Sequence, residues 1–322
     1  GRIKPFDSFA RNQLLRFYGK REVKEHQLKA TDWLLDLILD PQGGRDLKIF
    51  NIRNPEVVSS LFLDWTNEHK YSYNEIIPGL KNQIDLITAI DEKDDLDKSP
   101  FEKQLIELSH NAIVFEELSF MKNIKLIPPA LLDENAVWQS PFDFIISGVT
   151  PAYHQEEILN SLQKYLAARF QKNNSEMNSA LARYETITAD LPISSLDVKK
   201  LKSETWMNEV DLFVKSLAFY ILSFLLIGVS WMVKPTLFRN ISYTSLIVGF
   251  LIHGYGILLR MQIMGRPPVS TLYESVIFVS FIILLLAVTL EYFRADGIGI
   301  FIGSVSGSIL PVSYTHLRAH ET

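Results

Sequence analysis

The chain has 322 residues, 47% of them hydrophobic, and a net charge of −5. That is length enough for two domains, and no basic block of the kind that holds nucleic acid is present. It has no cysteine, which excludes disulfides, thiolate metal sites and a cysteine nucleophile. Charge is unevenly spread: residues 1–205 carry 25 Lys and Arg against 31 Asp and Glu, and beyond them long apolar runs begin.

The chain opens on Gly1 without a charged-then-apolar leader, and is read as starting inside a longer polypeptide. Arg2–Lys24 mixes charged and apolar residues at helical spacing. "ATDWLLDLILDPQGG" predicts a helix capped by Thr31 or Asp32, with Trp33, Leu34, Leu37 and Ile38 on one face and a stop at Pro41. "LKIFNI" predicts a short strand ended by Asn54-Pro55. Glu56–Trp65 and Gly79–Ile90 read as helices, with "YSYNEI" as a turn-and-cap segment between them. Acidic "DEKDDLDKSP" predicts an exposed connection, Phe101–Met121 a helix, and "IKLIPP" a strand stopped by its prolines. "VWQSPFDFIISG" reads as irregular. Gln155–Thr186 reads as amphipathic helix broken at Lys172-Asn-Asn-Ser. Residues 1–205 thus predict a mostly helical soluble domain with a few short strands.

Residues 206–311 differ in kind. Four apolar segments, about 216–233, 241–259, 275–292 and 298–311, approach the ~20 residues that cross hydrocarbon. Their short connections predict an all-α transmembrane bundle, so the fold class is mainly α. Lys199, Lys200, Lys202, Lys215, Arg260 and Arg266 fall at one end, against Lys234, Arg239 and Arg294 at the other. By the positive-inside rule the acidic domain is then cytoplasmic. Residues 312–322, "VSYTHLRAHET", are abruptly polar and resemble the translation of a sequencing adapter, which makes His316 and His320 non-native; a genuine His-bearing tail is the alternative.

Within this apolar region "HGYGILLRMQIMGRPPVSTLYESVIFVS" gathers ionisable and helix-breaking residues. The stretch resembles the signature of cytochrome c biogenesis membrane proteins of the CcsA/ResC type, a Gly-[Arg/His]-x-Pro loop leading into a Tyr-Glu-Ser helix start. Arg260, Gly265, Arg266, Pro268, Tyr273, Glu274 and Ser275 are the matching residues. "GRIKPFDSFARNQLLRFYGK" and "WLLDLILDP…IFNIRNPEV…YSYNEI" resemble the outer region of the fused CcsBA form. The resemblance implies an extracytoplasmic first domain, against the charge count, and a multi-pass protein of the bacterial cytoplasmic membrane. It implies haem b as cofactor, and haem, apocytochrome c, membrane lipid and the rest of the CcsB/CcsA polypeptide as partners. It also implies a synthetase activity that joins haem to the two thiols of a CxxCH motif. The family's tryptophan-rich WWD segment and flanking histidines find no match here, so the chain alone is not expected to catalyse the reaction.

Two readings stand at each candidate residue. Arg260 and Arg266 either extend from helix ends to the headgroups or meet a haem propionate. Thr271 and Glu274 fit a capping box, and an ion pair from Glu274 to Arg260 or Arg266 would pin the Pro267-Pro268 turn. His253 is either a haem contact, the one candidate ligand to a metal, or a neutral residue in a helix interface made close by Gly254 and Gly256. His26, His69, His110 and His154 show no ligand spacing and predict surface positions. No catalytic residue is assigned. A membrane-anchored ligand-binding or sensor protein, or a solute transporter subunit, is the alternative function.

Overall fold

The computed structural model describes residues 3–23, 28–130, 137–191, 198–233 and 235–317. The chain is mainly helical, 73% helix against 3% strand, so its strands act as clips between helices. It divides into two compact units, Gly1–Leu196 and Asp197–Thr322.

In the first unit α1 (Phe6–Tyr18) ends on Gly19, whose positive φ lets its N–H reach Leu15. β1 (Glu22–Val23) pairs antiparallel with β2 (Leu28–Lys29) and leads into α2 (Ala30–Leu39). The predicted side-chain cap at Thr31 or Asp32 is not used, because α2 begins at Ala30 after Lys29. Nor does Pro41 only stop a helix. It opens α3 (Pro41–Asp46), with Asp40 accepting the Gly43 N–H, since a proline at the first position loses no helical bond.

β3 (Phe50–Asn51) lies inside the predicted strand and pairs with β4 (Lys70–Tyr71). Between them α4 (Pro55–Ser60) is shorter than expected, ending before Phe62, which takes a positive φ. The cap read in "YSYNEI" is present: Ser72 and Glu75 form a reciprocal box at the start of α5 (Tyr73–Asn82). α6 (Ile84–Asp91) follows, then an exposed acidic connection, then α7 (Pro100–Ser119) under a second box from Ser99 and Glu102. "IKLIPP" contributes only the isolated bridge Ile127–Gln139. α8 (Pro141–Ser147) occupies part of the stretch read as irregular. α9 (Tyr153–Phe170) and α10 (Asn174–Asp190) pack together, separated by the predicted break, where Lys172 has a positive φ.

The core of this unit is aromatic. Phe17 meets Trp33, Phe50 and Phe115 at ring distances of 6.0, 5.6 and 5.9 Å, and Tyr73 stacks on Phe115 at 5.1 Å. These rings come from α1, α2, β3, α5 and α7, so one cluster ties together elements almost 100 residues apart. Burial and the nearby Glu116 carboxylate push the Tyr73 hydroxyl up to about 12.

The second unit contains α11 (Val198–Val210), α12 (Leu212–Ser230), α13 (Pro235–Met264), α14 (Leu272–Arg294) and α15 (Ile298–Leu317). α11 was not foreseen and groups with this unit because it packs on α13: Trp206 meets Tyr255 edge-on at 6.2 Å, and Met207 rests on Phe213 and Ile257. Asp211, at φ 47 and ψ 63, separates α11 from α12. α12 runs against α13, and α14 against α15. α15 continues as helix past Pro311 to Leu317, so the first part of the stretch expected as a polar tail is helical. His320 lies outside the described residues.

Three helices, Val198–Ser230, Thr236–Met264 and Glu274–Arg294, are long and apolar enough to cross a membrane. Only 33%, 39% and 28% of their most apolar windows are buried, so most of that apolar surface faces outward.

Candidate functional site

The turn between α13 and α14 is built by local rules. Gly265 closes α13 at φ +64, its N–H reaching the Met261 carbonyl at 2.8 Å. Pro267 and Pro268 cannot extend a helix, so the chain turns until Thr271 can cap the next one. The Thr271 Oγ1 accepts the Glu274 N–H at 3.2 Å. Glu274 reaches back one residue further than a standard box, its Oε2 accepting the Ser270 N–H at 3.2 Å. The Ser270 hydroxyl donates to the Pro267 carbonyl, and that of Ser275 to the Val269 carbonyl.

Glu274 is only 2% exposed, and two guanidiniums converge on its Oε1, Arg260 at 3.2 Å and Arg266 at 3.6 Å. The expected ion pair is therefore a three-member cluster. A buried carboxylate is costly without a counter-charge, and here it has two plus a backbone donor. Arg266 keeps 42% of its side chain exposed and Arg260 22%, so the cluster opens outward on the Arg266 side.

His253 is fully buried. Its ring lies 5.6 Å from Phe213, 6.2 Å from Tyr220 and 5.9 Å from Phe281, and its Nδ1 is 3.2 Å from the Tyr220 hydroxyl. Glycines make room for these rings. A Cβ at Gly254 would come within 2.9 Å of Phe281, and one at Gly249 within 2.6 Å of Tyr220. His253 Nε2 has no hydrogen-bond partner, but the surrounding rings leave it no open face. A haem needs an approach to the imidazole and a free guanidinium for its propionate. As packed, His253 is enclosed and Arg260 is engaged by Glu274, so these two residues do not fit the group, while Arg266 keeps an exposed guanidinium.

Several residues that shape this region were not singled out from sequence. Ser223 and Ser242 exchange hydroxyl-to-carbonyl bonds of 2.9 and 2.6 Å between α12 and α13, and Ser245 donates to the Phe219 carbonyl. Tyr243 donates to Val288 on α14. Glu291, buried at the end of α14, accepts the Gly297 N–H at the start of α15 with both carboxylate oxygens at 3.0 Å. The signal for the first group was present: Ser216, Tyr220, Ser223 and Ser230 recur at helical spacing on one face of α12.

Elsewhere, His154 Nε2 lies 3.0 Å from the Pro129 carbonyl, His110 is half exposed, and the His69 ring packs at a tilt against Trp65, 4.4 Å away, with its Nδ1 buried. His69 is thus only partly a surface residue, and His26 lies outside the described residues. No group of three or more potential metal ligands occurs among the described residues. No protein-family model matches the sequence, and no curated protein matches it.

Proposed function

We propose that this chain is part of a CcsBA-type cytochrome c biogenesis protein, serving as its scaffold beside the haem path. In this reading the second unit is a multi-pass transmembrane bundle in the bacterial cytoplasmic membrane. The first is an extracytoplasmic domain that positions apocytochrome c. Haem b and the thioether-forming chemistry belong to the assembled polypeptide, whose haem-ligating residues lie beyond the matches found here.

One observation carries the proposal. The residues that resemble the family signature form a closed unit, Arg260–Glu274–Arg266 over the Gly265–Thr271 turn, between two membrane-length helices. Such a cluster fixes the angle between α13 and α14 through charge-assisted bonds, which packing against lipid could not do. The outward-facing apolar surface of the same unit supports the membrane reading.

The test is to express the chain within a full CcsBA-type polypeptide, with a CxxCH reporter, in a host lacking its own cytochrome c assembly. Haem that stays on the reporter through a denaturing gel is the expected result; none at all, with protein present in the membrane, overturns the proposal. Within that assay, Glu274→Ala strands two arginines and lowers reporter yield at least tenfold. His253→Ala leaves haem per folded protein unchanged.

A second reading, a membrane-anchored ligand-binding protein, draws on one feature of the first unit. A groove of about 710 Å³ lies between α9 and α10, lined by Asn160, Lys164, Ala167, Ala180 and the Glu157–Arg183 pair. Haem-free purified protein that binds a peptide or a sugar favours this reading.

A further inference from the structure

The exposed tryptophan and tyrosine side chains of the second unit are sorted by level. Among its described residues they are Trp206, Trp231, Tyr255 and Tyr292. Trp206 and Tyr255 meet edge-on near the start of α12, since Gly256, next to Tyr255, packs against Leu212 and Phe213. Trp231 closes the other end of α12. It lies 5.7 Å from the Phe301 ring and beside Gly297, in the α14–α15 turn that follows Tyr292. Between the two levels the outward side chains are chiefly aliphatic, among them Leu222, Leu225, Leu251 and Leu286, and the exposed Phe224 ring there carries no polar atom. The exposed hydroxyls of Thr244 and Thr289 donate to Asn240 and Leu285 of their own helices, so neither needs water. From Phe213 to Ser230 the single charged residue is Lys215, near enough to the first level to reach it along its own stem. Arg260 and Arg266 lie past Tyr255, and Arg239 and Arg294 accompany the second level, where Arg239 donates to the Ala295 carbonyl.

We infer that these two levels are the edges of the bilayer: Trp206 and Tyr255 rest at one headgroup–acyl boundary, Trp231 and Tyr292 at the other. The inference rests on the membrane reading above and adds where the membrane begins and ends on this unit. α12 joins the two levels with 19 residues, about 28 Å at a helical rise of ~1.5 Å, against ~30 Å of hydrocarbon. The arrangement also separates lipid from a protein partner. Protein contacts gather tryptophan and tyrosine near the centre of the covered patch, inside a polar rim. Here the centre is aliphatic and the amphipathic rings stand at both margins, as they do beside lipid. Two placements follow. The Arg260–Glu274–Arg266 turn stands in the headgroup layer beyond Tyr255. His253, two residues before Tyr255, lies about 3 Å inside that boundary and not at mid-bilayer.

The chain has no cysteine of its own, so single-cysteine labelling is clean. Nitroxides in the full chain, reconstituted in phospholipid bilayers, report collisions with oxygen and with a water-soluble nickel chelate. Leu222→Cys and Leu286→Cys probe the middle, Met232→Cys and Leu258→Cys the two aromatic levels, and Leu96→Cys in the acidic connection gives the aqueous reference. All five positions are exposed, so the labels leave the packing intact. The expected oxygen-to-nickel ratio is highest and alike at 222 and 286, several-fold lower at 232 and 258, and lowest at 96. If 222 and 286 match 96, the membrane reading fails and this inference falls with it. If 222 and 286 lie in lipid while 232 or 258 equals either extreme, the inference alone is overturned. Shielding of 222 and 286 from both reagents also overturns it, because protein then covers the middle.

Discussion

The two units bury opposite things. In the first, the interior is Trp33, Phe17, Phe50, Phe115 and a wide belt of Leu, Ile and Val, while charges such as those of Asp91–Asp97 lie outside. In the second, buried polar side chains are almost as numerous as buried apolar ones among the described residues. Ser216, Ser223, Ser242, His253, Glu274, Ser280, Glu291 and Ser304 are inside, while Leu225, Leu251, Leu258 and Leu286 face out. Water drives the first arrangement, since apolar area removed from it stabilises at roughly 25 cal/mol per Å². Within a bilayer, the setting proposed for it, the second arrangement would have no such force to use. Its helices meet through small residues, hydroxyl-to-carbonyl bonds and two sequestered carboxylates, which is how helices associate when the surroundings are themselves apolar.

The sharpest way to break this comparison is to attack each unit by the rule of the other. Trp33→Ala leaves a large void in the aromatic core and should cost about 3–5 kcal/mol. Amide exchange should rise across the first unit while α12–α15 keep their protection. An equal rise in both units would show that the two do not unfold separately.

A smaller effect separates the two exteriors. Leu285 on α14 and Leu96 in the acidic connection are both exposed, 43% and 91%. Leu285→Asp should disfavour membrane insertion by about 2.5–3.5 kcal/mol, whereas Leu96→Asp should stay within about 0.5 kcal/mol of the parent protein. Glycosylation-based insertion assays for the first and denaturant titration for the second measure these values. Equal, small costs would remove the distinction.

The smallest effect sharpens the account of the first unit. Ser99→Ala removes the cap of α7 and should cost about 1 kcal/mol. The partner of Ser99, Glu102, is held at about 2 by Lys93 and by the Ser99 N–H. Because the folded value is depressed, this contribution is complete above the ordinary carboxylate range near 4.5. It is lost as pH falls from there towards about 2. Thermal unfolding between pH 6 and pH 2 should show a steeper loss for the parent than for Glu102→Gln.

How much of this was legible beforehand follows the range of the forces. The cap at Ser72, three of the four apolar spans and the pairing of Glu274 with nearby arginines follow from residues near in sequence, and all were readable, whereas the cap at Ser99 was passed over as part of an exposed connection. Pro41 misled because proline both ends one helix and suits the first position of the next. α11 escaped notice because its sequence has no clear apolar face, and its place depends on Tyr255, far along the chain. The enclosure of His253 was not legible for the same reason. Phe213, Tyr220 and Phe281 come from helices on either side of its own, and a lone histidine in an apolar run looks the same whether its ring is open or shut.

Glu291 has a consequence for assembly. Its carboxylate is matched by the first free amide of the following helix, Gly297, and not by a lysine or arginine. A Cβ at Gly299 would collide with the Ala287 carbonyl and the Glu291 backbone, so the two helices touch at their shared end. α14 and α15 therefore satisfy this buried carboxylate between themselves, so their junction closes without a side chain from any other helix.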